Sequence, residues 1–296
     1  MKGVMNLNEK LAETLQWFPG HMKKAERLIE ENLKLVDLVI EVLDARIPLS
    51  SQNPNLQNLL GDKPTLIVLA KSDLASVEDT KLWLKKFHDE NIPAVAVDAV
   101  QGTGIKKLIA EAKSLAEKNT HKLVKYGAKP RAARAMVIGI PNAGKSSLIN
   151  RLAGVNHTKI ENRPGVTRAK QWIKIADGLL LLDTPGILPP KFEDQDVALK
   201  LVWTYAISDE VHDLEPITHL LLEFLAKKNP AGICERYKIS EPLPITGQEI
   251  LEKIGLKRGC IRKGGVLDVD KAVKMILSEF RAGKLGKITL DEIPMP

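Results

Sequence analysis

The chain has 296 residues, 44% hydrophobic and 27% charged, which allows a full core in one large or two ordinary domains and speaks against disorder. Two cysteines, Cys234 and Cys260, exclude a disulfide framework and a structural zinc site. The opening MKGVMNLNEKLAETLQ lacks a secretion signal's apolar stretch and no later run reaches membrane-spanning length, so a cytoplasmic protein with no membrane role is expected. The net charge of +7 favours an acidic partner, nucleic acid or an anionic surface.

From Val36 onward, short apolar runs alternate with amphipathic stretches. VDLVIEVLDA, TLIVLA, AVAVDA and AMVIGI read as buried strands, and SVEDTKLWLKKFHDE and GIKKLIAEAKSLAEK as helices between them. The pattern predicts a doubly wound α/β domain with a parallel sheet covered on both faces. WIKIA and LLLLD flank Asp177-Gly178 and predict a hairpin, hence one antiparallel edge strand. The stretch 118–134 holds six Lys or Arg and no acid, and reads either as a solvated linker or as an RNA-facing strap. After Pro190 the β-branched runs stop and helical periodicity takes over. Pro216 and Thr246 sit where helices begin, and Gly255 and Gly283 where they stop. The expected division is residues 1–190 as the α/β domain, with an N-terminal extension 1–20, and residues 191–296 as a small all-helical domain.

The chemistry is concentrated in Gly139-Ile140-Pro141-Asn142-Ala143-Gly144-Lys145-Ser146, an eight-residue P-loop between an apolar run and the helix-like SSLINRLAG. Such a loop turns backbone N–H groups toward phosphate, and the helix N-terminus adds partial positive charge. Asn142, Ala143, Gly144, Lys145, Ser146 and Ser147 are therefore expected around the phosphates. Lys145 reaches the outer ones, and the Ser146 hydroxyl ligates Mg²⁺. Asp183-Thr184-Pro185-Gly186 follows Ser146 by 37 residues. Asp183 is placed to join the Mg²⁺ shell and Gly186 to offer its N–H to the terminal phosphate. Thr167, in Pro164-Gly165-Val166-Thr167, is the switch residue expected to close over metal and phosphate.

Base choice requires a carboxylate. Ala70-Lys71-Ser72-Asp73 follows TLIVL and resembles the guanine-reading Asn-Lys-x-Asp, with Ala70 in place of Asn; Asp73 accepts from the guanine ring N–H and amine while the Lys71 stem covers the base. Asp98-Ala99 resembles the second base loop, usually Ser-Ala. An N-capping turn is the alternative reading of AKSD. Both base loops precede the P-loop, the reverse of an ordinary GTPase, so the motifs are circularly permuted.

With Trp17-Phe18-Pro19-Gly20-His21-Met22, Asp44-Ala45-Arg46-Ile47-Pro48, GIPNAGKSS, RPGVT, LDTPGIL and this permuted order, the chain resembles the YlqF-type ribosome biogenesis GTPase A family of the TRAFAC class from Trp17 to Leu188. The resemblance implies GTP and GDP as ligands, and GTP hydrolysis coupled to and stimulated by a late precursor of the large ribosomal subunit, with its rRNA and proteins. It implies His21 as the catalytic substitute for a missing glutamine, because the residue after Gly186 is the apolar Ile187. It also implies that Asn142 helps bind an activating K⁺. A monomer is the default expectation. A small-molecule kinase, a membrane-associated GTPase and a nucleotide-dependent RNA-binding module with negligible turnover are the competing readings.

Overall fold

The structure, a computed structural model, describes residues 20–125, 131–155, 172–182, 194–211 and 213–294, leaving out the side chains of 20–26, 55, 57, 118–125, 155 and 211. The described residues form two compact units, one holding 20–182 with 289–294, the other 194–288.

In the first unit the elements are α1 (Gly20–Leu33), β1 (Leu38–Asp44), α2 (Pro54–Leu60), β2 (Thr65–Ala70), α3 (Val77–Asp89), β3 (Ala94–Val97), α4 (Ile105–Lys125), β4 (Ala133–Ile138), α5 (Lys145–Val155), β5 (Trp172–Ala176) and β6 (Leu179–Leu182). The six strands form one sheet in the order β3-β2-β1-β4-β6-β5. Every pairing is parallel except β5 with β6, the hairpin turning at Asp177-Gly178, where Gly178 takes φ 77°. β1 is buried at all seven positions, as a strand covered on both faces must be. β4 is fourth along the chain yet lies between β1 and β6. Permutation has changed the order of the strands in sequence while the sheet keeps the phosphate-loop strand in its middle.

Helix α3 shows how local chemistry builds a layer. Ser76 caps it, its Oγ accepting from the Asp79 N–H at 3.1 Å. Four-residue spacing then puts Trp83 and Phe87 on one face, where they pack against Leu43, Ile67, Leu69 and Ala75.

Glu41 is a buried charged residue in the middle of β1. Its sheet neighbours are Ile67 and Ile138, it is 3% exposed, and burial pushes its pKa up from 4.5 to about 7. A raised folded-state pKa adds stability that is complete below pH 4.5 and lost as pH rises through 7. Glu41→Gln is therefore expected to be about 3 kcal/mol more stable than the parent chain at pH 8 and no more stable below pH 4.5, as read by urea unfolding at both.

The basic stretch is less free than its composition suggests. Its first half continues α4 to Lys125. At its end, the Arg131 guanidinium grips the Asp37 carboxylate through two hydrogen bonds of 2.8 Å, and Arg134 stacks on Trp172 at 5.0 Å. Two of the six basic side chains thus anchor the linker to the sheet.

The second unit comprises α6 (Gln195–Trp203), a 3-10 turn (Asp209–Val211), α7 (Leu214–Lys228), α8 (Pro230–Tyr237), α9 (Gly247–Lys257) and α10 (Val269–Arg281). α7 is the hub, packing on the other four helices. Thr246 caps α9 in a reciprocal box with Glu249, as its position predicts. Gly283, at φ 70°, follows the end of α10. Pro216, by contrast, is inside the first turn of α7, which Asp213 caps. Gly255 stops nothing: it lies within α9, where a Cβ would come within 2.5 Å of the Leu267 side chain, so glycine permits close packing. α8 went unpredicted although Asn229-Pro230, a capping residue followed by proline at the first helical position, announces it.

The boundary at the C-terminus also differs from expectation. Residues 289–294 belong to the sheet unit, where Leu290 and Asp291 are buried and Ile293 joins the Trp83 cluster.

Candidate functional site

Four loops converge at the C-terminal edge of the parallel strands, the edge where open α/β sheets bind ligands. They follow β1, β2, β3 and β4.

The loop after β4 is the P-loop. Gly139 has φ 147° and a Cβ there would sit 2.3 Å from the Val42 carbonyl oxygen, so no other residue fits beside β1. Asn142 (φ 55°) and Gly144 (φ 110°) supply the positive-φ turns of the loop, the backbone geometry that lets successive N–H groups face an anion. Lys145 opens α5. It is 8% exposed and its ammonium donates to the Ile140 carbonyl at 2.6 Å, which draws the charge across the loop. Ser146 and Ser147 are exposed in the first turn of α5, where helix partial charge attracts anions. A Cβ on Gly144 would lie 3.3 Å from the Ala70 Cβ and 3.9 Å from the Lys71 stem; glycine lets the base loop come down onto the P-loop.

The loop after β2 carries Ala70, Lys71, Ser72 and Asp73. Lys71 adopts φ 55°, and its ammonium donates both to the Asn142 carbonyl and, at 2.9 Å, to Asp44 Oδ2. Asp44, at the end of β1, also receives Arg46 Nε at 2.9 Å and Nη2 at 2.7 Å. Burial alone would raise the Asp44 pKa, but Arg46 and Lys71 hold it at about 2. Asp44 thus joins the Arg46 turn to the base loop, and Lys71 joins the base loop to the P-loop.

The loop after β3 carries Asp98 and Ala99. The Asp98 carboxylate accepts from the backbone N–H groups of Val100 at 2.8 Å and Gln101 at 3.0 Å, and it is 5% exposed. It shapes its own turn, as a serine hydroxyl would more weakly. Arg151 on α5 braces this loop, with Nε donating to the Ala99 carbonyl at 2.6 Å and Nη2 to that of Val100. Ala99, Ser147, Asn150, Arg151 and Gly154 line an adjoining cleft.

Sequence reasoning missed Arg151 and the bracing role of Asp44. The signal for Arg151 was available: it is four residues after Ser147, on the same face of α5. The structure brings together Ala70, Lys71, Asn142, Gly144 and Lys145, with Ala99 held to α5. Thr167, Asp183, Gly186 and Ile187 lie outside the described residues, as does the side chain of His21, which is the second residue of α1. The Ser146 hydroxyl at a helix start and the Asp183 carboxylate are hard oxygen donors of the kind Mg²⁺ takes, so the donor set fits that ion. Among the described residues no helix is long and apolar enough to cross a membrane.

Residues 134–233 match the family described as 50S ribosome-binding GTPase, the match opening on β4. The chain is 47% identical over 277 residues to ribosome biogenesis GTPase A of Bacillus cereus, covering 94% of this chain and 93% of that one. It is 31% identical to the Thermotoga maritima protein of the same name, covering 94% of each, and 32% identical to mitochondrial ribosome-associated GTPase 1 of Mus musculus, covering 96% and 92%. The crystal structure of GNP-bound YlqF from T. maritima superposes with a TM-score of 0.63 at 27% identity, covering 90% of this chain and 97% of that one. With the P-loop and base loops joined at one sheet edge in permuted order, the chain is a GTPase of the ribosome biogenesis GTPase A family.

Proposed function

We propose that this protein is a cytoplasmic switch in late maturation of the large ribosomal subunit, whose GTP hydrolysis is stimulated by the subunit precursor. The observation that carries the reading is the Lys71 ammonium shared between the Asn142 carbonyl and Asp44. It ties a base-reading loop to a phosphate-binding loop, as a site for a whole guanine nucleotide requires. The ribosomal part is supported by the names of the relatives and by the chain's excess of basic residues.

Asp73 reads the guanine edge, Ala99 offers its backbone, and Lys145 with the α5 N-terminus takes the phosphates. Ala70 withholds the hydrogen bonds an asparagine would supply, and the Lys71 bridge to Asn142 offsets part of that loss. Ser146, Thr167 and Asp183 would hold Mg²⁺, which would neutralise phosphate charge, and Gly186 would meet the terminal phosphate. Asn142, exposed at the loop tip, contributes to a K⁺ site. Ile187 cannot orient water, so His21 at the start of α1 does so when the subunit is bound. The helical unit and the basic stretch 118–134 contact rRNA.

Single-turnover GTP hydrolysis in potassium buffer, with and without large ribosomal subunits, tests this. Acceleration by subunits that His21→Ala removes while GTP still binds supports the switch. Absence of acceleration overturns it in favour of a nucleotide-dependent RNA-binding module.

A further inference from the structure

The end of the chain returns to the nucleotide-binding unit and makes more than packing contacts there. Leu290 donates its N–H to the Arg46 carbonyl at 2.7 Å. Asp291, 3% exposed, accepts at Oδ2 from the N–H groups of Leu49 (2.7 Å) and Ser50 (2.8 Å), and at Oδ1 from the Ser50 hydroxyl (2.7 Å). These contacts clamp the turn 45–51. The same turn feeds Asp44: the Ser51 hydroxyl accepts the Asp44 N–H at 3.2 Å and donates to the Ile47 carbonyl at 2.6 Å. Asp44 in turn grips Arg46 and Lys71, and Lys71 reaches the P-loop at Asn142. A path of hydrogen bonds, joined by the Ser50–Ser51 peptide link and by Asp44 itself, therefore runs from Asp291 to the base loop within one compact unit.

The path has a covalent consequence. The helical unit, 194–288, is inserted in the sequence between β6 and the segment 289–294, so it is joined covalently to the nucleotide unit through the segment that carries Asp291. We propose that the C-terminal segment is a latch on the nucleotide site, with Asp291 a positioning residue that sets guanine affinity by fixing the turn on which Asp44 and Lys71 depend. The carboxylate is suited to this because a buried charged acceptor with three donors holds backbone geometry more tightly than apolar packing does. A partner that strains the helical unit then loosens guanine binding by pulling residues 289–294.

The latch rests on the reading of Lys71 and Asp73 as the base loop, so both are tested together in the full-length protein. Equilibrium binding of GDP and IDP, which lacks the exocyclic amine Asp73 would read, is measured for Asp291→Ala, Asp291→Asn, Leu290→Ala and Asp73→Asn, with thermal unfolding of each to keep every assay where the chain is folded. Asp291→Ala is expected to weaken GDP about tenfold, mid-range for coupling within one hydrogen-bonded network, and to lower the GDP/IDP preference. Asp291→Asn, which keeps one acceptor oxygen, falls between. Leu290→Ala loosens the segment's packing but leaves the carboxylate, and is expected to weaken GDP less than Asp291→Ala does. If Asp73→Asn lowers the GDP/IDP preference and Asp291→Ala does not, the latch is overturned alone. If Leu290→Ala weakens GDP as much as Asp291→Ala, general loosening replaces positioning and the latch is overturned. If Asp73→Asn leaves the preference intact, the base-loop reading fails and takes the latch with it.

Discussion

Replacing Lys145 with alanine is expected to lower kcat/KM for GTP hydrolysis by about 10²–10³-fold while leaving the fold intact. The ammonium is nearly buried and already aligned across the loop by the Ile140 carbonyl, so it meets developing charge on the transferring phosphate with little reorganisation. Removing such a group forfeits transition-state stabilisation in the range measured for single preorganised donors. Alanine is the best helix former and Lys145 is the first residue of α5, so the helix does not suffer. The measurement is steady-state hydrolysis beside thermal unfolding. An unchanged melting temperature with lost turnover assigns the effect to phosphate chemistry, whereas retained turnover would take Lys145 out of the site.

The parts of this molecule legible in sequence are those whose physics is local. The runs at 38–44, 65–70 and 133–138 are continuous because their strands are covered on both faces, and the P-loop glycines appear where φ must be positive. The hairpin at Asp177-Gly178 and the Thr246-Glu249 capping box are equally local. Less legible were residues whose partners are distant in the chain. Asp291 reads as a polar residue near a terminus until its acceptor role on Leu49 and Ser50, more than 240 residues away, is seen. Asp98 reads as a poor match to a base-loop serine, yet its carboxylate closes the loop. Gly255 carries the signal of a helix stop and is instead a packing glycine, since nothing in its neighbourhood announces Leu267. Motif spacing pointed to loops that the fold gathers at one sheet edge, while the supports beneath them required coordinates.

Asp44→Ala is expected to do more damage than any loss of a single surface pair. Asp44 is 2% exposed and Arg46 3%, and the two are joined by two side-chain hydrogen bonds with Lys71 adding a third. Deleting the carboxylate strips Arg46 of its buried counter-charge, a change that costs about 3–5 kcal/mol. The same deletion lets Lys71 swing from the base loop, so guanine affinity falls along with stability. The pH dependence has the opposite sign to that of Glu41. The Asp44 pKa is depressed from 3.8 to about 2, so its contribution is present above pH 4 and is lost as pH falls through 2. Urea unfolding of the parent chain between pH 5 and pH 2 is expected to lose about 2 kcal/mol that Asp44→Ala does not lose. If the variant matches the parent chain in stability at pH 7, the buried node contributes nothing net, and the coupling between the turn at 45–51 and the base loop must be carried by the backbone alone.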